Sequence, residues 1–185
     1  MNYIANAGSL VVNTLIGLYL YVVLLRFWMQ WMRVDFRNPV GQFVISATNP
    51  VIVPLRKIFS PIGSVDTATL LFAFIVATVK VWALLSLAGL QASLVANLVY
   101  GFSEVLRSSI HIFIAAILVT IIASWVASGS YNPVVTLAHQ IAGPIMEPAR
   151  RLIPPMGGLD LSPILVFLFL NLTLTLIVAP ISPFF

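Results

Sequence analysis

Apolar positions along the chain gather into four long runs, at about 8–32, 67–90, 109–127 and 162–181, with few or no charged residues inside them. Each approaches the roughly 20 residues a helix needs to cross a hydrocarbon core, so four membrane spans are predicted. Between the first two runs lies FVISATNPVIVPL, an uncharged stretch too short to cross and of the length expected for an interfacial or re-entrant segment. The rhythm changes around it. Apolar residues at 40, 43, 44 and 47 alternate with Gln42 and Ser46, and those at 134, 137, 138 and 141 with Thr136 and Gln140. That spacing predicts short amphipathic helices on the membrane surface.

Composition points the same way. Of 185 residues, 61% are hydrophobic and 8% charged, against about 45–50% and about 25% in soluble domains. Nine Lys/Arg and five Asp/Glu cannot coat a soluble core of this size. The net charge of +4 therefore reads as placement beside membrane spans, and no nucleic-acid contact is expected. With no cysteine, disulfides, iron–sulfur clusters, thiolate zinc sites and Cys-x-x-Cys-His haem attachment are excluded. No cofactor is expected.

The first run is expected to be a retained span, because MNYIANAGS lacks the basic residues of a secretory leader and no small-residue cleavage site follows. Arg33, Arg37, Arg56 and Lys57 fall between the first and second runs, and Arg150 and Arg151 between the third and fourth. The middle connection holds Arg107 alone, offset by Glu104. By the positive-inside rule, the first and third connections are cytoplasmic and both termini periplasmic.

The chain repeats itself. Shifted by 94 residues without a gap, Trp31 meets Trp125, Asn38-Pro39-Val40 meets Asn132-Pro133-Val134, and Pro50, Pro54 and Arg56 meet Pro144, Pro148 and Arg150. Pro61, Gly63 and Asp66 meet Pro155, Gly157 and Asp160, so that 10 of 36 positions are identical. Chance can align apolar residues in such a chain, but hardly these prolines, the arginine and the aspartate in one register. Two spans per copy make it a parallel repeat. The first copy is expected at 1–95, with an interfacial segment at 38–60 and spans at about 8–32 and 67–90. An outward-facing connector follows at 96–108, then the second copy at 109–185, with interfacial segment 132–154.

Within each copy, Asn38 or Asn132 reads as an N-cap and Pro39 or Pro133 as the first helical residue, where the missing N–H costs nothing. Pro50 or Pro144 is expected to end or kink the surface helix, and Pro54 or Pro148 to open a turn, giving two short helices at a proline elbow. A Pro-x-Gly turn containing Gly63 or Gly157 follows, and Asp66 or Asp160 caps the next span. The pairs Arg56-Lys57 and Arg150-Arg151, with Arg33 and Arg37, are candidates for binding anionic lipid headgroups or a partner's acidic groups. Their simpler role is to set topology and rest among lipid phosphates.

Two charges fall inside runs. Arg26 is placed to snorkel to the interface, with Trp28 and Trp31 as an aromatic belt. Lys80 is deeper, where lysine costs about 2.5–3.5 kcal/mol. It is either part of an ion path or polar interhelical contact, with Asn171 or Asn13 as partners, or it snorkels outward. No acidic residue falls in the middle of a run, so no carboxylate proton relay is expected.

No catalytic constellation emerges. His111 and His139 are 28 residues apart and on opposite sides in this topology, a poor metal pair or acid–base dyad. Phosphate-loop, His-Glu-x-x-His and Gly-x-Ser-x-Gly patterns are missing from the chain. An enzyme is not expected.

The Trp-x6-Asn-Pro at Trp31 and Trp125, with the Pro-x-Arg-[Lys/Arg] through Pro-x-Gly-x-x-Asp pattern in both copies, resembles the YggT family, also called YlmG, which has plastid relatives. The resemblance covers essentially the whole chain. It departs where Ala127, Gly129 and Tyr131 stand opposite Arg33, Asp35 and Arg37, so a partner using that cluster would not treat the copies alike. The resemblance implies a multi-span protein of the bacterial inner membrane, in a family linked to osmotic or potassium stress, cell division and plastid cytochrome assembly. It supplies no catalytic motif.

Two readings follow. One is a scaffold or assembly factor binding lipid headgroups or a membrane-protein partner at the cytoplasmic face, because the repeated features lie in the connections. The other is a channel or transport component for ions or osmolytes, which needs a homo-oligomer because four spans make a narrow pore unlikely.

Overall fold

A computed structural model describes residues 3–126, 132–153 and 160–181. The fold is all-α, as expected, and no strand occurs among the described residues. Six helices follow in order: α1 (Tyr3–Trp31), α2 (Pro39–Arg56), α3 (Thr67–Leu87), α4 (Leu94–Val126), α5 (Pro133–Leu152) and α6 (Ser162–Thr173). A π turn at Leu174–Val178 and a 3-10 turn at Ala179–Ile181 continue α6. Pro180, which has no N–H to bond back, sits where the regular ladder ends. Four segments are long and apolar enough to cross a membrane: Tyr3–Trp31, Thr67–Leu87, Leu94–Trp125 and Ser162–Ile181.

The duplication survives as structure. Asn38 Oδ1 accepts from Gly41 N at 2.8 Å to cap α2, and Asn132 Oδ1 accepts from Val134 N at 2.9 Å to cap α5. Asp66 caps α3 through Thr69 N, and Asp160 Oδ1 accepts from Ser162 N at the start of α6. After Pro61 the chain turns at Gly63, whose φ of +61° suits glycine, and Ile62 and Val65 exchange backbone hydrogen bonds across it. Its counterpart Gly157, with Pro155, Ala127, Gly129 and Tyr131, lies outside the described residues.

Three expectations change. Residues 96–108 form no connector: α4 begins at Leu94 and runs through them. Its polar residues Ser103, Glu104, Ser108 and Ser109 turn inward and are buried, so the charges there do not mark an exit from the membrane. The proline elbow is also replaced by something simpler, because α2 and α5 each pass unbroken through both prolines. Pro50, Pro54, Pro144 and Pro148 are all exposed, as are Ser46 and Gln140, whose carbonyls the helix would otherwise use. The lost hydrogen bonds thus fall on the outer face, where water or headgroups can satisfy the freed carbonyls. The inner faces bury Val44, Thr48 and Ile52 on α2 and Leu137, Ile141 and Met146 on α5.

Helix packing explains the layout. In lipid, apolar surface alone does not draw helices together, so close association needs small residues and polar contacts. Ala73 and Ala77 of α3 let it nest against Leu20, Val23 and Leu24 of α1. Gly101 of α4 faces α3 so closely that a Cβ there would overlap the Thr78 side chain and reach 3.0 Å from its Cα. Helix α3 thus lies between α1 and α4, α5 packs on α4 and α6, and α2 rests on α1 and α3.

Candidate functional site

Two polar centres stand out against the apolar bulk. The first joins the surface helix to the spans of the first copy. Arg56, at the end of α2, holds Asp66 with two guanidinium nitrogens, Nη2 to Oδ2 at 2.5 Å and Nε to Oδ1 at 3.3 Å. The same Nη2 donates to Gln30 Oε1 of α1 at 2.6 Å. Arg26 donates to Thr48 Oγ1 at 2.6 Å and Asn49 Oδ1 at 2.9 Å, both on α2. It is 4% exposed, so the snorkelling expected for it does not occur: α2 itself supplies the acceptors that water would have offered. Trp28 packs edge-on against Phe113 at 4.6 Å, whereas Trp31 is exposed.

The second copy keeps the core of this arrangement in a barer form. Arg150 Nε donates to Asp160 Oδ2 at 3.0 Å, the same residue pair in the same register. Its side chains are 42% and 31% exposed, against 33% and 0% for Arg56 and Asp66. At the position of Arg26 stands Thr120, and at that of Thr48 stands Ala142. Burial pushes the Asp66 carboxyl up, but the hydrogen bonds from Arg56 and Thr69 together outweigh it and hold its pKa below the usual 3.8. Asp160 is shifted the same way, burial being outweighed by the hydrogen bonds from Ser162 and Arg150. Both aspartates therefore cap a helix and bind an arginine at once.

With Arg56 and Arg150 so engaged, the other basic candidates sit differently. Arg33, Arg37 and Lys57 are exposed and form no side-chain ion pair among the described residues. Arg151 reaches Glu147 at 3.2 Å, but both side chains are mostly exposed. Arg33 also has a φ of +55°, the left-handed position that closes α1, with Val34 N bonded back to Met29 O at 2.8 Å.

The second centre lies within the spans. Lys80 of α3 donates to Glu104 Oε1 of α4 at 2.6 Å, with the two side chains 6% and 3% exposed. Arg107, one turn along α4, holds the other oxygen of Glu104. Counting about 1.5 Å per residue, Lys80 is about 10 Å from the Leu87 end of α3 and Glu104 about 15 Å from the Leu94 end of α4. Neither expected partner takes Lys80: Asn171 is exposed on α6 and donates to Phe167 O at 2.8 Å. Asn13 lines the same cleft as Lys80 without a hydrogen bond to it. The expectation that no acidic residue enters a span is overturned by Glu104, which sequence reading had assigned to a connector. Its signal was available in the uninterrupted apolar spacing on either side of residue 104.

The cleft above Lys80 has a volume of about 330 Å³ and lies between α1 and α4. His111 accepts or donates at Nδ1 with the Tyr21 hydroxyl at 3.1 Å on its rim. His139 is exposed on α5, and no group of three metal-binding side chains occurs among the described residues.

Comparison with known proteins agrees with the duplication. A family model described as CCB3/YggT matches twice, at 5–87 and 99–181. An uncharacterized protein of Pseudomonas aeruginosa is 40% identical over 168 residues, covering 90% of this chain and 85% of that one. An uncharacterized protein of Vibrio alginolyticus is 38% identical over 181 residues, covering 95% and 97%. The uncharacterized protein YggT of Escherichia coli K12 is 39% identical over 165 residues, covering 89% and 86%. No solved structure gives a significant match.

Proposed function

The chain belongs to the CCB3/YggT family, and from that premise and the geometry above we propose that it is a non-enzymatic scaffold of the bacterial inner membrane. The face carrying α2 and α5 lies in the cytoplasm and both termini in the periplasm, the orientation that the basic residues favour. That face gathers anionic lipid headgroups and, through them, presents α2 and α5 to a membrane-protein partner.

The observation that carries this reading is the division of labour among the arginines. Arg56 and Arg150 are bound to aspartates. Arg33, Arg37 and Lys57 are exposed with no internal ion pair among the described residues. Each such residue beside an anionic surface contributes about 1 kcal/mol. Arg33 supports it further, since a side chain is kept at a left-handed position where glycine would be less strained.

The test is reconstitution of the full chain in mixed phosphatidylcholine and phosphatidylglycerol, with retained lipid identified by mass. Enrichment of the anionic lipid is expected, and its loss on changing Arg33, Arg37, Lys57 and Arg151 to Gln with orientation preserved. Equal retention of both lipids by the native chain would sink the reading. Partners are sought by crosslinking in native membranes from single cysteines at Ser46 and Gln140, both exposed and in a chain without cysteine.

A second reading, an oligomeric transport component for ions or osmolytes, is favoured by the buried Lys80–Glu104 pair, since ionisable groups in spans often mark transport paths. Flux in proteoliposomes that is altered by Lys80→Met would support it.

A further inference from the structure

The largest groove in the described structure, about 690 Å³, runs along the seam between the two copies and is lined almost wholly by apolar groups. Its walls come from matched positions of the repeat: Leu18 with Ile112, Leu25 with Val119, and Phe43 with Leu137. At Leu18, Tyr21 and His111 this groove runs into the polar cleft above Lys80, because the three residues line both. The cleft is built from matched positions too, Asn13 with Arg107 and Gly17 with His111. Here the copies have diverged in charge. The first contributes an amide and a glycine, the second a guanidinium and an imidazole.

Gly17 makes room for the charged floor: a Cβ there would stand 3.3 Å from Lys80 Nζ. The cleft's lining thus carries two cations, Lys80 and Arg107, against the single carboxylate of Glu104. A net positive charge in a low-dielectric span is costly, and a bound anion relieves it. Lysine and arginine are donors only, so what they seek is an acceptor of negative charge. The adjoining groove has the size and apolar lining of a ligand pocket. Its position at a repeat interface is where membrane proteins built from repeats place their sites.

We infer that this crevice binds an anionic single-chain amphiphile, with its carboxylate or phosphate head at Lys80 and Arg107 and its chain along the seam between the copies. The head lies at the cleft on the side of the Leu94 end of α4, and the chain runs toward α2 and α5. A neutral chain gains little here, since lipid already offers the same apolar surroundings. Selectivity therefore rests on the head.

The test uses the full chain in neutral detergent with a tail-fluorescent long-chain carboxylic acid and the alcohol of the same chain. The acid is expected to bind at least about tenfold more tightly, a factor worth about 1.4 kcal/mol. Arg107→Gln leaves the Lys80–Glu104 pair in place and is expected to bring the two affinities together. Ala115→Trp, at an exposed position lining the groove, is expected to weaken both. Changing Arg33, Arg37 and Lys57 to Gln leaves acid binding unaltered, which separates this site from the surface-helix face. Equal affinity of native protein for acid and alcohol overturns the inference. So does acid binding that survives Ala115→Trp and is displaced by inorganic phosphate, which would make the cleft a small-anion site. Should Arg107→Gln fail to fold, the acid–alcohol ratio of the native chain and the Ala115→Trp result still decide.

Discussion

Lys80 Nζ and Glu104 Oε1 lie 2.6 Å apart on two helices that are each long and apolar enough to cross a membrane. The pair ties α3 to α4 at a depth where an unpaired charge is costly, and Arg107 shares the same carboxylate. The group at the centre is Glu104, on which both cations depend.

Loss of Glu104 is therefore expected to cost more than loss of Lys80. Glu104→Leu strands two cations and should destabilise by about 3–5 kcal/mol. Lys80→Met leaves the Glu104–Arg107 contact and should cost about 1.5–3 kcal/mol. Thermal unfolding in detergent checks the order, and equal losses would mean that Arg107 does not share the carboxylate.

The approach of α3 to α4 depends on Gly101. Gly101→Ala places a methyl group against Thr78, and overpacking of this kind costs about 1–3 kcal/mol. Thr78→Ala in the same chain should recover part of the loss, because it removes the hydroxyl and methyl that the new group meets. A double variant no more stable than Gly101→Ala alone would place the strain in the backbone.

Asp66 and Asp160 make the same contacts in different surroundings. Asp66→Asn should destabilise by about 1–3 kcal/mol, less than a fully buried pair because Arg56 is partly hydrated. Asp160→Asn should cost under about 1 kcal/mol. Since the folded pKa of Asp66 is lowered from 3.8, its contribution is complete above that value and is lost as pH falls through the folded pKa. The melting temperatures of native chain and Asp66→Asn should thus be far apart at neutral pH and converge in strong acid. A constant gap down to the acid limit would contradict the assignment.

Arg33→Gly should raise stability by about 0.5–1 kcal/mol, because it relieves the left-handed conformation at the end of α1. The same change should lower phosphatidylglycerol enrichment in reconstituted membranes. A more stable variant with unchanged lipid enrichment would leave Arg33 with a structural role only.

The features that the sequence determined are those with a local cause. Apolar run length announced the spans, Asn-Pro announced the starts of α2 and α5, and the ungapped register of Arg56, Gly63 and Asp66 with Arg150, Gly157 and Asp160 announced the duplication. Caps, spans and repeats depend on neighbours in the chain, so one-dimensional reading reaches them. Only the tertiary structure decided the fate of the charges. Glu104 read as an exit from the membrane until α3 brought Lys80 to it, and Arg26 read as a snorkelling side chain until α2 laid Thr48 and Asn49 beside it. Whether a charge belongs inside a membrane depends on a partner contributed by another helix, and that pairing exists only once the helices have packed.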